Sequence, residues 1–264
     1  RRYNAPMERP RLCVAGGINL DIHLHARDGR MVAATSNPSR AAVTAGGVAR
    51  NVAENLARWG ARVTLLGAVG ADALSSFVLD ETARSGVDVS RVVRAGTAVC
   101  GLYAALLDED GELAMAASAM DAATAADPRY FEQCDDIVRS AELLVVDANL
   151  SSEALAHLIT RAAERGAPVI AEPVSLAKAE RLAAVPGRAF ITTPNEAEAE
   201  VLLAPDARLS AEWTVVTRGE AGVELFEGPG GVHRDGGTNV ARRAPRPVVR
   251  VPADRVEPVN VTGA

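Results

Sequence analysis

Short runs of β-branched and apolar residues alternate along this chain with stretches of helical period, and that alternation limits the folds open to it. The runs at Arg11–Ala15, Arg62–Leu66, Leu143–Asp147, Pro168–Ala171, Ala189–Thr192 and Thr214–Thr217 read as strands. Between them, Val48–Trp59 sets Val48, Val52 and Leu56 on one stripe. Ser152–Arg165 likewise gathers Leu155, Leu158, Ile159 and Ala162. Strands that are apolar throughout must be covered on both faces, and parallel neighbours need a crossover long enough to hold a helix. The pattern predicts an α/β fold of three layers with a mostly parallel central sheet. With 264 residues, 48% of them apolar, there is material for one large buried core.

Two stretches break the alternation. Gly101–Leu107 and Glu112–Ala117 flank Asp108-Glu109-Asp110-Gly111, a hairpin signal. Residues 22–44 are polar, hold Asp28-Gly29 and Asn37-Pro38, and lack a helical period. Segments 22–44 and 97–117 are therefore expected to form a small β-flap, a lid over the carboxyl edge of the sheet. One domain is expected over residues 11–264, with 1–10 as an N-terminal extension. The span from Leu203 to Trp213, with Pro205 inside it, leaves little room for the helix expected between parallel strands.

Composition narrows the function classes. Basic residues number 28 against 34 acidic ones, a net charge of −6 with no basic face, so nucleic acid is not an expected partner. The uncharged stretch Ala95–Leu107 is too short to cross a bilayer, and Arg1–Arg11 has no apolar leader. The expectation is a cytoplasmic protein with no membrane partner. Cys13, Cys100 and Cys134 are scattered, which suits neither a disulfide framework nor a zinc site. His23 and His25 share a strand face, but His157 and His233 lack compatible partners for a metal. Lys178 is the only lysine and is followed by Ala179, so no Gly-Lys-Ser/Thr phosphate loop exists. The G-x-G-x-x-G dinucleotide fingerprint is absent too, which disfavours a nicotinamide oxidoreductase.

Five motifs remain, each with a plain structural counterpart. Gly16-Gly17-Ile18-Asn19-Leu20-Asp21 follows the first strand. An ionised Asp21 suits a vicinal diol, or it only caps an Asx-turn. Gly46-Gly47 opens a helix carrying Asn51, which either admits a ligand to the backbone or is a glycine-rich helix start. Asn195 and Glu198 form a capping-box pattern, and the same pair would order a hydrated Mg²⁺. Thr217-Arg218-Gly219-Glu220-Ala221-Gly222 is a turn between strands that would hold nucleotide phosphate or serve as a tight connection. Asn260-Val261-Thr262-Gly263-Ala264 would open a helix whose N–H groups face an anion.

In order and spacing these motifs resemble the ribokinase-like (PfkB) carbohydrate and nucleoside kinases, from about Arg11 to Ala264. Gly46-Gly47-Val48-Ala49-Arg50-Asn51, with Asn55 and Gly60 in phase, matches the N-terminal signature. Asn260–Ala264 matches the start of the C-terminal one. Within the family, Thr35-Ser36-Asn37-Pro38, Asp147-Ala148-Asn149-Leu150-Ser151 and Pro173-Val174-Ser175 before Lys178 look like segments of the pseudouridine kinases. Ser39, Glu172 and Thr193 depart from that pattern, which has Gly, Asp and often Lys there.

The resemblance implies a three-layer ribokinase-like domain with a lid that phosphorylates the 5′-hydroxyl of a nucleoside, pseudouridine first, using ATP and Mg²⁺. It leaves room for a monovalent cation such as K⁺ and for a homodimer formed through the lid. By the same resemblance Asn19, Asp21, Gly46, Gly47 and Asn51 hold the sugar, and Ser36, Asn37, Asn149 and Lys178 lie on the base or lid side. Asn195, Thr217, Gly219, Gly222 and Thr262 line the nucleotide, and Glu198 organises the metal. Gly263 and Ala264 begin an anion hole, with the catalytic base expected two residues past Ala264. Two other readings stay open: a ribokinase-like enzyme acting on ribose, adenosine or a hexose, and a non-catalytic nucleoside sensor.

Overall fold

A computed structural model describes residues 9–96, 98–228 and 247–253. The chain opens with β1 (Arg11–Ala15), whose side chains alternate between two apolar clusters. Leu12 and Val14 enter one cluster with Ala49 and Ala53; Cys13 and Ala15 enter the other with Leu155 and Leu158. A strand buried on both faces in this way is what a sheet covered by helices on either side requires. The described part of the main sheet holds eight strands.

Before that sheet continues, the chain makes β2 (Asn19–Ala26), β3 (Ser39–Gly46) and α1 (Val48–Arg58). It then adds β4 (Arg62–Leu66), which pairs parallel with β1. Next come β5 (Ala68–Gly70), α2 (Ala73–Arg84), β6 (Val93–Ala95), β7 (Leu102–Leu107) and β8 (Leu113–Ala119). After α3 (Pro128–Gln133) and α4 (Asp135–Ser140), β9 (Leu143–Asp147) lies parallel to β1 on the side away from β4. From there α5 (Ser152–Glu164), β10 (Val169–Glu172), α6 (Leu176–Ala183), β11 (Gly187–Thr192), α7 (Glu196–Leu202) and β12 (Leu209–Thr217) extend the sheet outward. It ends in the antiparallel strands β13 (Val223–Glu227) and β14 (Val249–Val251). The strand order is β14-β13-β12-β11-β10-β9-β1-β4.

The order fixes where a ligand can enter. The chain leaves β1 toward β4 on one side and leaves β9 toward β10 on the other. The two connections diverge and open a crevice above the carboxyl ends of β1 and β9. Beside it stands a second sheet of four strands, β3-β2-β7-β8, which is the expected lid. Its strands are far less covered than those of the main sheet: β8 is exposed along its whole length and β3 along most of its length. His23 meets Tyr103 edge-on within this sheet, at 6.5 Å between ring centres, so the histidine serves lid packing.

The short Leu203–Trp213 connection is resolved simply. Helix α7 begins directly after Asn195, and β12 starts at Leu209 rather than Thr214, so the crossover helix precedes the segment that looked too short for it. The three cysteines are free and buried. Among the described residues no helix is long and apolar enough to cross a membrane.

Candidate active site

The turn between β1 and β2 is held by Asp147, the last residue of β9. Its Oδ2 accepts the backbone N–H of Gly17 at 2.9 Å and of Ala49, in the first turn of α1, at 2.8 Å. Its Oδ1 accepts the N–H of Asn149 at 2.9 Å. One buried carboxylate thus ties together the turn after β1, the start of α1 and the end of β9. Burial pushes this carboxyl up and the three amides oppose it. The glycines are sterically required, since a Cβ at Gly16 would fall onto the Asp147 carboxylate.

That staple sets the start of β2, and with it the two polar residues on its inner edge. Asn19 is buried, and its Nδ2 donates to Asp21 Oδ1 at 2.5 Å. Asp21 stands half-buried against Gly46, where a Cβ would collide with its carboxylate. Burial raises the Asp21 carboxyl above its usual range, while Asn19, His23 and Arg50 favour the charged form. Gly47 adopts φ 100° as the N-cap of α1, and no side chain caps that helix end. An acceptor-rich carboxylate therefore lies beside backbone brought close by missing side chains. That arrangement suits adjacent hydroxyl groups.

On the other flank the chain leaves β10 through Glu172-Pro173-Val174-Ser175 into α6. Val174 has φ 69°, a rare conformation for a β-branched residue. Its N–H is accepted by Glu172 Oε1 at 3.2 Å, and Ser175 N–H by the Pro173 carbonyl at 2.8 Å. One turn into α6, Lys178 Nζ donates to Asn149 Oδ1 at 2.5 Å. Burial lowers the Lys178 ammonium and the Asp147 charge opposes that shift. Asn149 and Lys178 line a cleft of about 430 Å³, together with Gly17, Gly101 and Ser118 of the lid.

Farther along the same strand edge, Asn195 and Glu198 form the complete capping box of α7. Asn195 Oδ1 accepts Glu198 N–H at 3.0 Å, and Glu198 Oε2 accepts Asn195 N–H at 2.9 Å. Thr217, at the end of β12, bridges to Asn195 and donates its N–H to the Pro194 carbonyl at 2.8 Å. Glu172 connects the two groups of residues. It lies opposite Asp147 in register, and its Oε2 accepts the Thr193 hydroxyl. Burial raises the Glu172 carboxyl, with Glu198 and Asp147 adding to the shift.

The expected residues thus fall in two groups: Asn19, Asp21, Gly46 and Gly47 at the root of the lid, joined through Gly17 to Asn149 and Lys178, and then Asn195, Glu198 and Thr217 at the carboxyl ends of β11 and β12. Others stand apart. Asn37 spends its amide inside its own loop, bonding Val32 and Thr35, and Ser36 is exposed beside it. Asn51 is exposed and accepts from Arg50. Gly219 and Gly222 have φ 53° and 88° around a single 3-10 turn, and a Cβ at Gly222 would strike the Val251 carbonyl. Thr262, Gly263 and Ala264 lie outside the described residues. Reading the residue types alone gave Asp147 and Glu172 no role, although each is an acid ending an apolar strand, which is the signal that marks them.

Residues 9–264 match the family described as pfkB family carbohydrate kinase, and the chain belongs to that family. It is 33% identical to a pseudouridine kinase of Escherichia coli over 74% of this chain and 61% of that one. To a pseudouridine kinase of Arabidopsis thaliana it is 32% identical over 70% of this chain and 48% of that one. The match therefore takes in less than two-thirds of either relative's length. Among solved structures, a carbohydrate kinase from Agrobacterium tumefaciens superposes with TM-score 0.74 at 29% identity, covering 83% of this chain and 73% of that one. The fold is also that of an Arabidopsis thaliana ribokinase complexed with ribose and ATP, with TM-score 0.67 at 19% identity over 83% and 75% of the two chains.

Proposed function

We propose that this protein is an ATP-dependent kinase acting on the 5′-hydroxyl of a nucleoside, with pseudouridine as the acceptor. The observation that carries the reading is the Asp21 carboxylate, aimed by Asn19 against the bare backbone of Gly46. In this reading Asp21 accepts the hydroxyl hydrogens of the ribose diol, and Gly46-Gly47 lets the sugar rest against the main chain. Asn149, in the cleft beyond the glycine turn, meets the base. The likeness to pseudouridine kinases supports that choice of base.

ATP and Mg²⁺ belong to the second group of residues, and the donor set there fits a hydrated cation. Glu172 and Glu198 lie close enough to raise the Glu172 carboxyl, and the capping box uses only Oε2 of Glu198. Mg²⁺ gives up its waters reluctantly, so these acids would hold it through its hydration shell. When bound, the cation neutralises charge on the phosphates during transfer. This chain's residues fix the acceptor: Asp21 and Asn19 hold the diol, so the reacting hydroxyl is positioned before transfer begins.

The test is an acceptor panel with the full-length protein, ATP and Mg²⁺. Pseudouridine, uridine, ribose, adenosine and fructose are compared by ADP release and product mass. Phosphorylation of pseudouridine at least about tenfold above ribose in kcat/KM supports the reading. Equal turnover of the two removes the nucleoside assignment. Nucleoside binding without ADP release would identify a sensor.

A further inference from the structure

An asparagine amide is nearly symmetric in shape, and its two ends are told apart by their partners. At Asn149 those partners are unusually definite. An ammonium has donors only, so the atom facing Lys178 Nζ at 2.5 Å is Oδ1. The Asn149 backbone N–H is also fixed, by Asp147 Oδ1 at 2.9 Å. With Oδ1 taken, Nδ2 is the end left to donate, and it stands where Gly17 lacks a side chain: a Cβ there would come within 2.6 Å of Nδ2.

The backbone holds Lys178 at this point against local preference. Val174, with φ 69°, is strained, and Glu172 Oε1 accepts its N–H. Helix α6 starts directly after that turn, at N-cap Ser175, with no side-chain cap bond to aid it. Lys178 N–H bonds back to the Ser175 carbonyl at 3.0 Å. The strained turn thus sets the phase of α6 and the direction of its lysine.

From this geometry we infer that Lys178 is a positioning residue: by occupying Asn149 Oδ1 it makes Asn149 a fixed donor into the cleft, selecting a substrate that offers a carbonyl or hydroxyl oxygen there. The inference rests on the kinase reading only for the identity of the substrate. The orientation of the amide is independent of it.

A double-mutant cycle on the full-length protein separates a role through Asn149 from direct contact. Pseudouridine affinity, by calorimetry without ATP, and KM against kcat are compared for wild type, Lys178→Met, Asn149→Ala and the double variant. Lys178→Met is expected to weaken binding about tenfold, with the loss falling on KM more than kcat. In the Asn149→Ala background it should add less than about twofold. Lys178→Arg, which still donates to Oδ1, should recover most of the affinity. An equal loss from Lys178→Met in both backgrounds overturns the inference. Should Lys178→Met fail to fold, Lys178→Gln keeps a donor without charge. Affinity within about threefold of wild type then supports the inference, and an equal tenfold loss in both backgrounds overturns it. If the wild type binds no pseudouridine, the substrate reading fails alone. The Asn149 side-chain amide resonances then decide: a change on Lys178→Met supports the inference and no change ends it.

Discussion

Asp147 and Asp21 are the same residue type near one crevice, one on the main sheet and one on the lid sheet, and they are built in opposite ways. Asp147 is buried at the end of a covered strand and accepts three backbone N–H groups. Asp21 is half-buried on a lid strand and accepts one side-chain amide. Burial pushes both carboxyls up. The difference lies in the lone pairs left over. Asp147 has spent its acceptors on the chain itself, and Asp21 keeps most of its acceptors for something outside. The first is a scaffold and the second a reader of ligands.

The sharpest way to break this contrast is Asp147→Asn. An amide has a single oxygen, and its NH₂ would face donors, so at least one buried N–H loses its partner and another meets a like dipole. At about 1–3 kcal/mol per unsatisfied group the expected loss is about 3 kcal/mol or more. For a domain of this size that is a fall in Tm of roughly 6–12 °C. A melt within about 2 °C of wild type would show that Asp147 is not a staple.

Asp21→Asn should reverse the balance. Losing two charge-assisted bonds to a diol, each about 1.5–3 kcal/mol, lowers kcat/KM by about 10²–10⁴, mainly through KM. Stability should stay level or rise. The folded-state pKa of Asp21 lies above its unfolded value, so the fold penalises the ionised form; that penalty is absent below the unfolded pKa and present at neutral pH. A neutral side chain removes it. Wild-type KM should accordingly begin to rise, as pH falls, above the usual carboxylate range. Unchanged KM in Asp21→Asn would remove the reader role, and a large drop in Tm would make Asp21 a second scaffold.

The same contrast explains what the sequence could and could not reveal. Strands β1, β4 and β9 fall on their expected bounds because a strand covered on both faces is an unbroken apolar run, and its ends are where the apolar residues stop. Strand β12 begins earlier than expected because Leu209–Trp213 mixes polar and apolar residues beside a neighbour covered on one face only. In the site, Asn19 and Asp21 were legible as a polar pair after the first strand, and Gly46 as half of a glycine pair opening a helix. The work of Asp147 was not, since two of its three partners are backbone groups 98 and 130 residues away and backbone donors leave no mark on residue identity. Asn37 is the opposite case: the resemblance of its segment implied a ligand contact, and here its own loop takes its amide.

The finest test compares two glycines. A methyl group added at Gly16 would meet the Asp147 carboxylate, and one added at Gly46 would meet that of Asp21. Both overpack, which costs about 1–3 kcal/mol where the neighbour cannot yield. Asp147 is fixed by three amides and cannot yield, so Gly16→Ala should lower Tm by several degrees. Asp21 is fixed by one side-chain bond and can swing, so Gly46→Ala should leave Tm nearly unchanged while raising KM about tenfold, the effect of one lost charged hydrogen bond. Because that KM effect passes through Asp21, Gly46→Ala should add less than about twofold when combined with Asp21→Asn. Full additivity would mean that Gly46 meets the ligand through its own backbone, independent of the carboxylate beside it.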